Sequence, residues 1–160
     1  LIRNQDSALN SSFSINLNVD TVLSQEFLDF DKALPEANRR TVVIEFQKID
    51  VFGDFQAFLF ARDFVRERGY RICLDGLDQF TLPIFDREAL GLDLVKIFWS
   101  PGIADDPTGT QLSQMQASVE ALGRSRAVLC RCDSEEAVRF GQSLGITIFQ
   151  GRFIDSLVQR

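Results

Sequence analysis

Residues 127–151 read AVLCRCDSEEAVRFGQSLGITIFQG. Two short apolar runs, Ala127–Cys132 and Thr147–Phe149, flank the segment Asp133–Leu144. That segment opens with Asp133 and Glu136 in capping-box spacing and closes at Gly145, the start and stop signals of a helix. Strand, helix, strand over so few residues is the unit from which parallel sheets are built.

The same alternation extends toward the N-terminus. Phe13–Leu17, Thr41–Phe46, Tyr70–Leu74 and Leu94–Trp99 are apolar, β-branched or aromatic runs, as expected of parallel strands covered on both faces. Between them lie helical patterns. Asp20–Ala33 carries Val22, Leu23, Phe27 and Phe30 on one broad face. Asp54–Arg68 groups Phe58, Ala61 and Val65 with Phe60 and Phe64 beside them, and Gly69 suits a C-terminal cap. Gln111–Leu122 sets Leu112, Met115, Val119 and Leu122 at helical spacing before Gly123. Pro83–Leu90 predicts a shorter helix with Pro83 in its first turn, and Asp105–Gly109 a polar loop. The fold class is therefore α/β, with about six parallel strands alternating with helices. Six strands fit an open doubly wound sheet or most of an eight-stranded barrel, and strand count does not choose between them.

Composition narrows the function. The chain has 160 residues, fits one domain spanning 1–160, and is 45% hydrophobic and 25% charged. Fifteen Phe against one Tyr and one Trp predict a Phe-rich core. A net charge of -6, with no Lys/Arg run, argues against a nucleic-acid polymer as partner. The absence of His excludes Ser-His-Asp, Cys-His and His-ligated zinc sites within this chain. Three cysteines, Cys73, Cys130 and Cys132, suit a reducing compartment. No apolar stretch reaches transmembrane length and no signal peptide opens the chain, so a cytoplasmic location without membrane insertion is expected. Leu1 in place of Met reads as a piece of something longer, where an anchor or further domain would lie.

In parallel α/β folds, chemistry collects at the carboxyl ends of the strands. Those ends give Asn16 and Asn18; Glu45, Gln47 and Lys48; Asp75, Gly76 and Asp78; Lys96; Cys130 and Cys132; Gln150 and Gly151. Alone, these residues have plain structural readings. Glu45 would pair with Lys96, Asn16 would cap a helix or satisfy backbone, and Trp99 would pack. Cys130 and Cys132 would point to one side of a strand, open to a soft metal but more simply small hydrophobes.

The segments in order resemble a known family. SINLN (Ser14–Asn18) is similar to S-I/V-N-L-S, VIEFQK (Val43–Lys48) to L-E-I/L-T-E, and RICLDGLDQF (Arg71–Phe80) to R-I/V-A-L-D-D-F-G-T-G. From Asp75 to Lys96 the likeness runs without a gap through LDLVKI (Leu92–Ile97), and residues 127–151 follow V-I-A-E-G-V-E-T-E-E-Q-L-x-F-L-x-x-L-G-x-x-x-x-Q-G. The chain thus resembles the C-terminal two-thirds of an EAL domain, the bacterial phosphodiesterase fold acting on cyclic di-GMP. The resemblance implies an incomplete EAL-type (β/α) TIM-like barrel without the family's first two βα units.

It also implies a site. Family members hold two divalent metals through carboxylates and an Asn, and such a site needs several hard oxygen ligands close together. Asn16, Glu45 and Asp75 match ligands, Lys96 the lysine near the attacking water, and Gln150 a late glutamine. Against them, Gly76 stands for the second Asp of the pair, Cys130 for the Glu of A-E-G, Lys48 for the last Glu of L-E-I/L-T-E, and Phe98 for the Asp after the lysine. The expectation is a catalytically inactive EAL-like regulatory domain working through a protein partner or self-association. A cyclic di-GMP receptor is the alternative, and an active phosphodiesterase a disfavoured third. No cofactor is expected, with Mg²⁺ or Mn²⁺ called for only by a competent site.

Overall fold

The computed structural model describes residues 13–106 and 108–158. Six strands, β1 (Phe13–Asn16), β2 (Val42–Gln47), β3 (Arg71–Leu77), β4 (Leu94–Phe98), β5 (Ala127–Cys130) and β6 (Ile148–Gln150), form one sheet in chain order. β1 pairs with β2, β4 with β5 and β5 with β6, each in parallel. Every strand of the sequence reading is present, within a residue or two at its ends except at β3. β3 runs on to Leu77, and β5 stops at Cys130. The chain divides into two compact units between Leu74 and Asp75, within β3.

The first unit places α1 (Val19–Val22), α2 (Gln25–Ala33) and α3 (Glu36–Arg39) before β2, then α4 (Lys48–Gly53) and α5 (Phe55–Glu67). Phe58, Ala61 and Val65 form the fully buried face of α5, and the Phe58 ring meets Phe46 of β2 edge-on at 5.4 Å. Phe58 and Val65 each contribute roughly 1.5–3 kcal/mol through burial. Asp54 caps α5 by accepting the Ala57 N–H at 2.9 Å. The single helix expected over Asp20–Ala33 is two. The Ser24 hydroxyl donates to the Thr21 carbonyl at 2.7 Å and accepts the Phe27 N–H at 3.3 Å, ending one helix and starting the next. Val22 and Phe27 are buried, whereas Leu23 and Phe30 are exposed. The Phe-rich core is accordingly only part of the truth. Phe27, Phe46 and Phe58 are interior, while Phe13, Phe30, Phe52, Phe55, Phe60 and Phe80 face solvent.

One buried acid ties this unit together. Asp31, at 8% exposure, accepts the Tyr70 hydroxyl at 2.9 Å. Arg39 Nε lies 3.1 Å from its Oδ1, an ion-pair contact whose N–H is poorly aligned for a hydrogen bond, and Arg68 Nε lies 3.5 Å from its Oδ2. Phe27 stacks beside it, 5.6 Å from the Tyr70 ring.

In the second unit, Asp75–Leu77 complete β3. A 3₁₀ turn (Leu82–Ile84), α6 (Arg87–Leu90), β4, a second 3₁₀ turn (Pro101–Ile103), α7 (Thr110–Leu122), β5, α8 (Glu135–Ser143), β6 and α9 (Arg152–Val158) follow. The short helix expected over Pro83–Leu90 splits, because Asp86 accepts the Glu88 and Ala89 N–H groups at 2.9 and 3.0 Å and starts α6 afresh. Met115, Val119 and Leu122 are buried on α7, while Leu112 is only partly so. Trp99 is a packing residue, 5.0 Å from the Phe140 ring. Of the expected loop Asp105–Gly109, Pro107 lies outside the described residues, and the other four belong to no helix or strand.

Asp133 does not cap α8. Ser134 does, accepting the Ala137 N–H at 3.3 Å. Asp133 instead holds the guanidinium of Arg152, at the start of α9, at 2.7 and 3.1 Å. Neither α9 nor α4 was evident in the sequence.

Tyr70 is the only tyrosine of the chain, which makes the Asp31 cluster measurable. Burial, then the hydrogen bond to Asp31, push its pKa from 10.0 to about 12. The folded state keeps this proton longer than the unfolded chain. The phenol's contribution to stability is therefore complete below pH 10.0 and is lost as pH rises through about 12. Tyrosinate absorbance should titrate at that high midpoint. Asp31→Ala should lower the midpoint and cost about 3 kcal/mol in urea unfolding, because two guanidinium groups lose their counter-charge. An unmoved midpoint would contradict the cluster.

Candidate functional site

In the first unit, register pairs Asn16, the last residue of β1, with Glu45 of β2. Glu45 is 2% exposed, whereas Asn16 is exposed. The Glu45 carbonyl accepts the Leu17 N–H at 3.1 Å. Asn16 is therefore a strand residue and not a helix cap. The cap is Asn18, whose Oδ1 accepts the Thr21 N–H at 2.8 Å. Lys48 opens α4, so the chain turns helical straight after β2. Asp50 secures that turn by accepting the Gln47 N–H at 2.8 Å.

In the second unit, Asp75 is 9% exposed and its Oδ1 accepts the N–H of Gly76 at 2.8 Å. Gly76 is buried and has φ +85°, a conformation that costs a side chain roughly 1–2 kcal/mol. An aspartate there would be strained and would bury a second carboxylate beside Asp75. Asp78 is a turn residue: its Oδ1 accepts the Phe80 and Thr81 N–H groups at 3.0 and 2.9 Å and the Thr81 hydroxyl at 2.9 Å.

Beyond β3, register decides what the strand ends present. Lys96 pairs with Val128, and Val128 with Ile148. One step further, Phe98 pairs with Cys130 and Cys130 with Gln150. Residues two apart on a strand share a face, so half-buried Lys96 and Phe98 lie on one side of β4. The Cys130 thiol donates to Gln150 Oε1 at 3.5 Å. The row Phe98–Cys130–Gln150 thus contains no carboxylate.

The sequence reading missed Arg131. Its φ of +61° is left-handed, which a non-glycine residue adopts at a cost of about 1 kcal/mol. The exposed guanidinium lies over the Phe98 ring, 4.1 Å from its centroid. A signal existed: the pattern A-E-G-V-E carries Gly where this chain has Arg131. The same residue overturns the expectation that Cys130 and Cys132 share one side of a strand. β5 ends at Cys130, and beyond the left-handed residue Cys132 turns inward to donate its thiol to the Leu129 carbonyl at 3.3 Å. Burial pushes the Cys132 thiol pKa up, against use as a thiolate ligand. Cys73, Cys130 and Cys132 are all buried and unlinked.

Within the second unit, the row at the ends of β4, β5 and β6 offers no carboxylate to a hard divalent metal. The ends of β4, β5 and β6 present a ring, a thiol and an amide, a cation is stacked on the ring, and Gly76 is backbone where the resemblance implies an acid. Among the described residues, no group of three or more His, Cys, Asp or Glu side chains is placed to hold a metal ion.

Parallel strands alternating with helices, with polar residues at the carboxyl ends, define an incomplete TIM-like (β/α) barrel. The particular fold is that of part of an EAL domain, by its likeness to solved structures. The Bacillus subtilis YkuI protein, which has an EAL domain and was solved with cyclic di-GMP and calcium, is similar over 89% of this chain and 36% of its own, at 16% identity and a TM-score of 0.69. The S helix-GGDEF-EAL part of Vibrio cholerae LapD bound to cyclic di-GMP is similar over 92% and 37%, at 15% identity and 0.71. Klebsiella pneumoniae BlrP1, as a manganese and cyclic di-GMP complex, is similar over 88% and 37%, at 22% identity and 0.64. The chain therefore spans a little over a third of each of these. No protein-family model and no curated protein sequence matches the chain.

Gly76→Ala tests the strained step after Asp75. It should cost about 1–2 kcal/mol in urea unfolding, as a side chain at a left-handed position does. Unchanged stability would contradict the conformation that keeps a second acid out.

Proposed function

We propose that this chain is a catalytically inactive EAL-like regulatory domain of bacterial cyclic di-GMP signalling. It would act through contact with a protein partner or through self-association. The observation that carries this reading is the row Phe98–Cys130–Gln150, in which a ring and a thiol stand beside the matching glutamine where the resemblance implies an Asp and a Glu. Phosphodiester hydrolysis by a metal-activated water needs anionic ligands to hold the ions. On this reading Asn16, Glu45, Asp75, Lys96 and Gln150 are remnants of a ligand set, and Lys48, Gly76, Phe98 and Cys130 are the positions at which it degenerated. The solved structures of similar fold that contain cyclic di-GMP support the signalling context.

Exposed apolar side chains support the contact role. Ile49 and Phe52 sit three apart on α4, at 68% and 57% exposure, and Phe55 opens α5 at 45%. Clustered exposed apolar residues of this kind mark interaction surfaces. No described helix is long and apolar enough to cross a membrane. A cytoplasmic place of action belongs to the same proposal.

The second reading, a receptor that binds cyclic di-GMP without hydrolysing it, is favoured by one observation, the guanidinium of Arg131 held on Phe98.

Incubation with cyclic di-GMP and Mg²⁺ or Mn²⁺, followed by chromatographic separation of the nucleotides, tests the proposal. The cyclic dinucleotide should be recovered intact. Accumulation of the linear dinucleotide, at a rate proportional to protein concentration, would overturn it.

A further inference from the structure

Between α1 and α4 of the first unit lies a groove of about 230 Å³. Its lining includes Val19, Ile49 and three acids, Asp20, Asp50 and Asp54, and no Lys or Arg is among the lining residues. Asp20 is exposed. Asp50 and Asp54 accept the Gln47 and Ala57 N–H groups at 2.8 and 2.9 Å, and a carboxylate accepts more than one hydrogen bond. Among the described residues no acids are grouped to hold a metal ion, so these offer a field of negative charge and not a coordination sphere. Lys48, beside Ile49 in sequence, opens α4 half-buried and does not line the groove. The rest of α4 adds apolar surface. Ile49 and Phe52 are both exposed, and residues three apart are neighbours on a helix. Size narrows the occupant further. Pockets for drug-sized ligands run roughly 300–1,000 Å³, and this smaller groove takes an anchoring side chain.

We propose that the groove between α1 and α4, together with the exposed Ile49–Phe52 face of α4, docks a basic amphipathic helix of a partner protein. This inference rests on the protein-contact reading and names the partner's chemistry. Apolar anchors at helical spacing would lie on Ile49 and Phe52, one of them entering the groove. Lys or Arg side chains flanking the anchors would meet Asp20, Asp50 and Asp54, which gives the contact its specificity and its speed of association. A second copy of this chain is the poorer occupant, because a net charge of -6 sets like charges against one another.

The test is titration of the isotope-labelled intact chain with a synthetic leucine–lysine amphipathic helix, and with its leucine–glutamate counterpart, followed by amide chemical shifts. The lysine helix should bind, with shifts centred on Val19, Asp20, Ile49 and Gly53, and the glutamate helix should not. Added salt should weaken binding, because it screens exposed carboxylates. Asp20→Lys and Ile49→Ser should each weaken it about fivefold or more. Both side chains are exposed, so the fold should be retained. Glu120→Lys, the same charge change at an exposed position of α7, should leave binding as in wild type. Equal affinity of wild type, Asp20→Lys and Ile49→Ser would overturn the inference and leave protein contact at another surface standing. Equal binding of the two helices, or no binding of the lysine helix, would overturn it as well. A wild-type dimer in sedimentation that Ile49→Ser dissociates would overturn it in favour of a second copy. Turnover of cyclic di-GMP, by contrast, would contradict the inactive reading without altering this titration.

Discussion

The parallel register of β4, β5 and β6 is the constraint on which the site depends. Backbone hydrogen bonds fix Phe98 beside Cys130 and Cys130 beside Gln150. Side chains that are neighbours in register share a face, so the chemistry of the row is set by three residue identities. The helix-covered side of the same strands is unaffected, with Val95, Ile97, Ala127 and Leu129 fully buried. A sheet can therefore lose catalytic side chains on one face and keep its core on the other. On the proposed reading, that separation is what lets the fold persist while the strand-end residues depart from the family's ligand set.

Several acids outside the matched site positions are tied to structure. Asp78 folds the loop after β3, Asp50 secures the turn into α4, and Asp133 pairs with Arg152. Asp31 gathers Tyr70, Arg39 and Arg68 in the first unit. Each of these four acids has a capping, turn or ion-pair role, which costs little when the partners are in place and much when one is removed. An abundance of acidic residues is thus no measure of metal-binding capacity here.

Much of the fold was legible because parallel strands read as short apolar runs and long helices repeat with their own period. Phe58, Ala61 and Val65 on α5 show this directly. Short elements were not legible: α4 and α9 have six and seven residues, too few for a period to emerge. The break at Ser24 was hidden because Val22, Leu23, Phe27 and Phe30 satisfy helical spacing across it. At the site, the strand-end positions could be read, since they follow from where apolar runs stop. The direction of Arg131 could not, because side-chain alternation fails at a left-handed residue, and Cys132 was misplaced for the same reason.

The central claim is that these strand ends do not hold divalent metal. Mn²⁺ titration followed by the electron paramagnetic resonance signal of the free aquo ion tests it most directly. The account predicts a signal that grows with added Mn²⁺ as it does in buffer alone. Stoichiometric loss of that signal at micromolar Mn²⁺, reversed by EDTA, would contradict it.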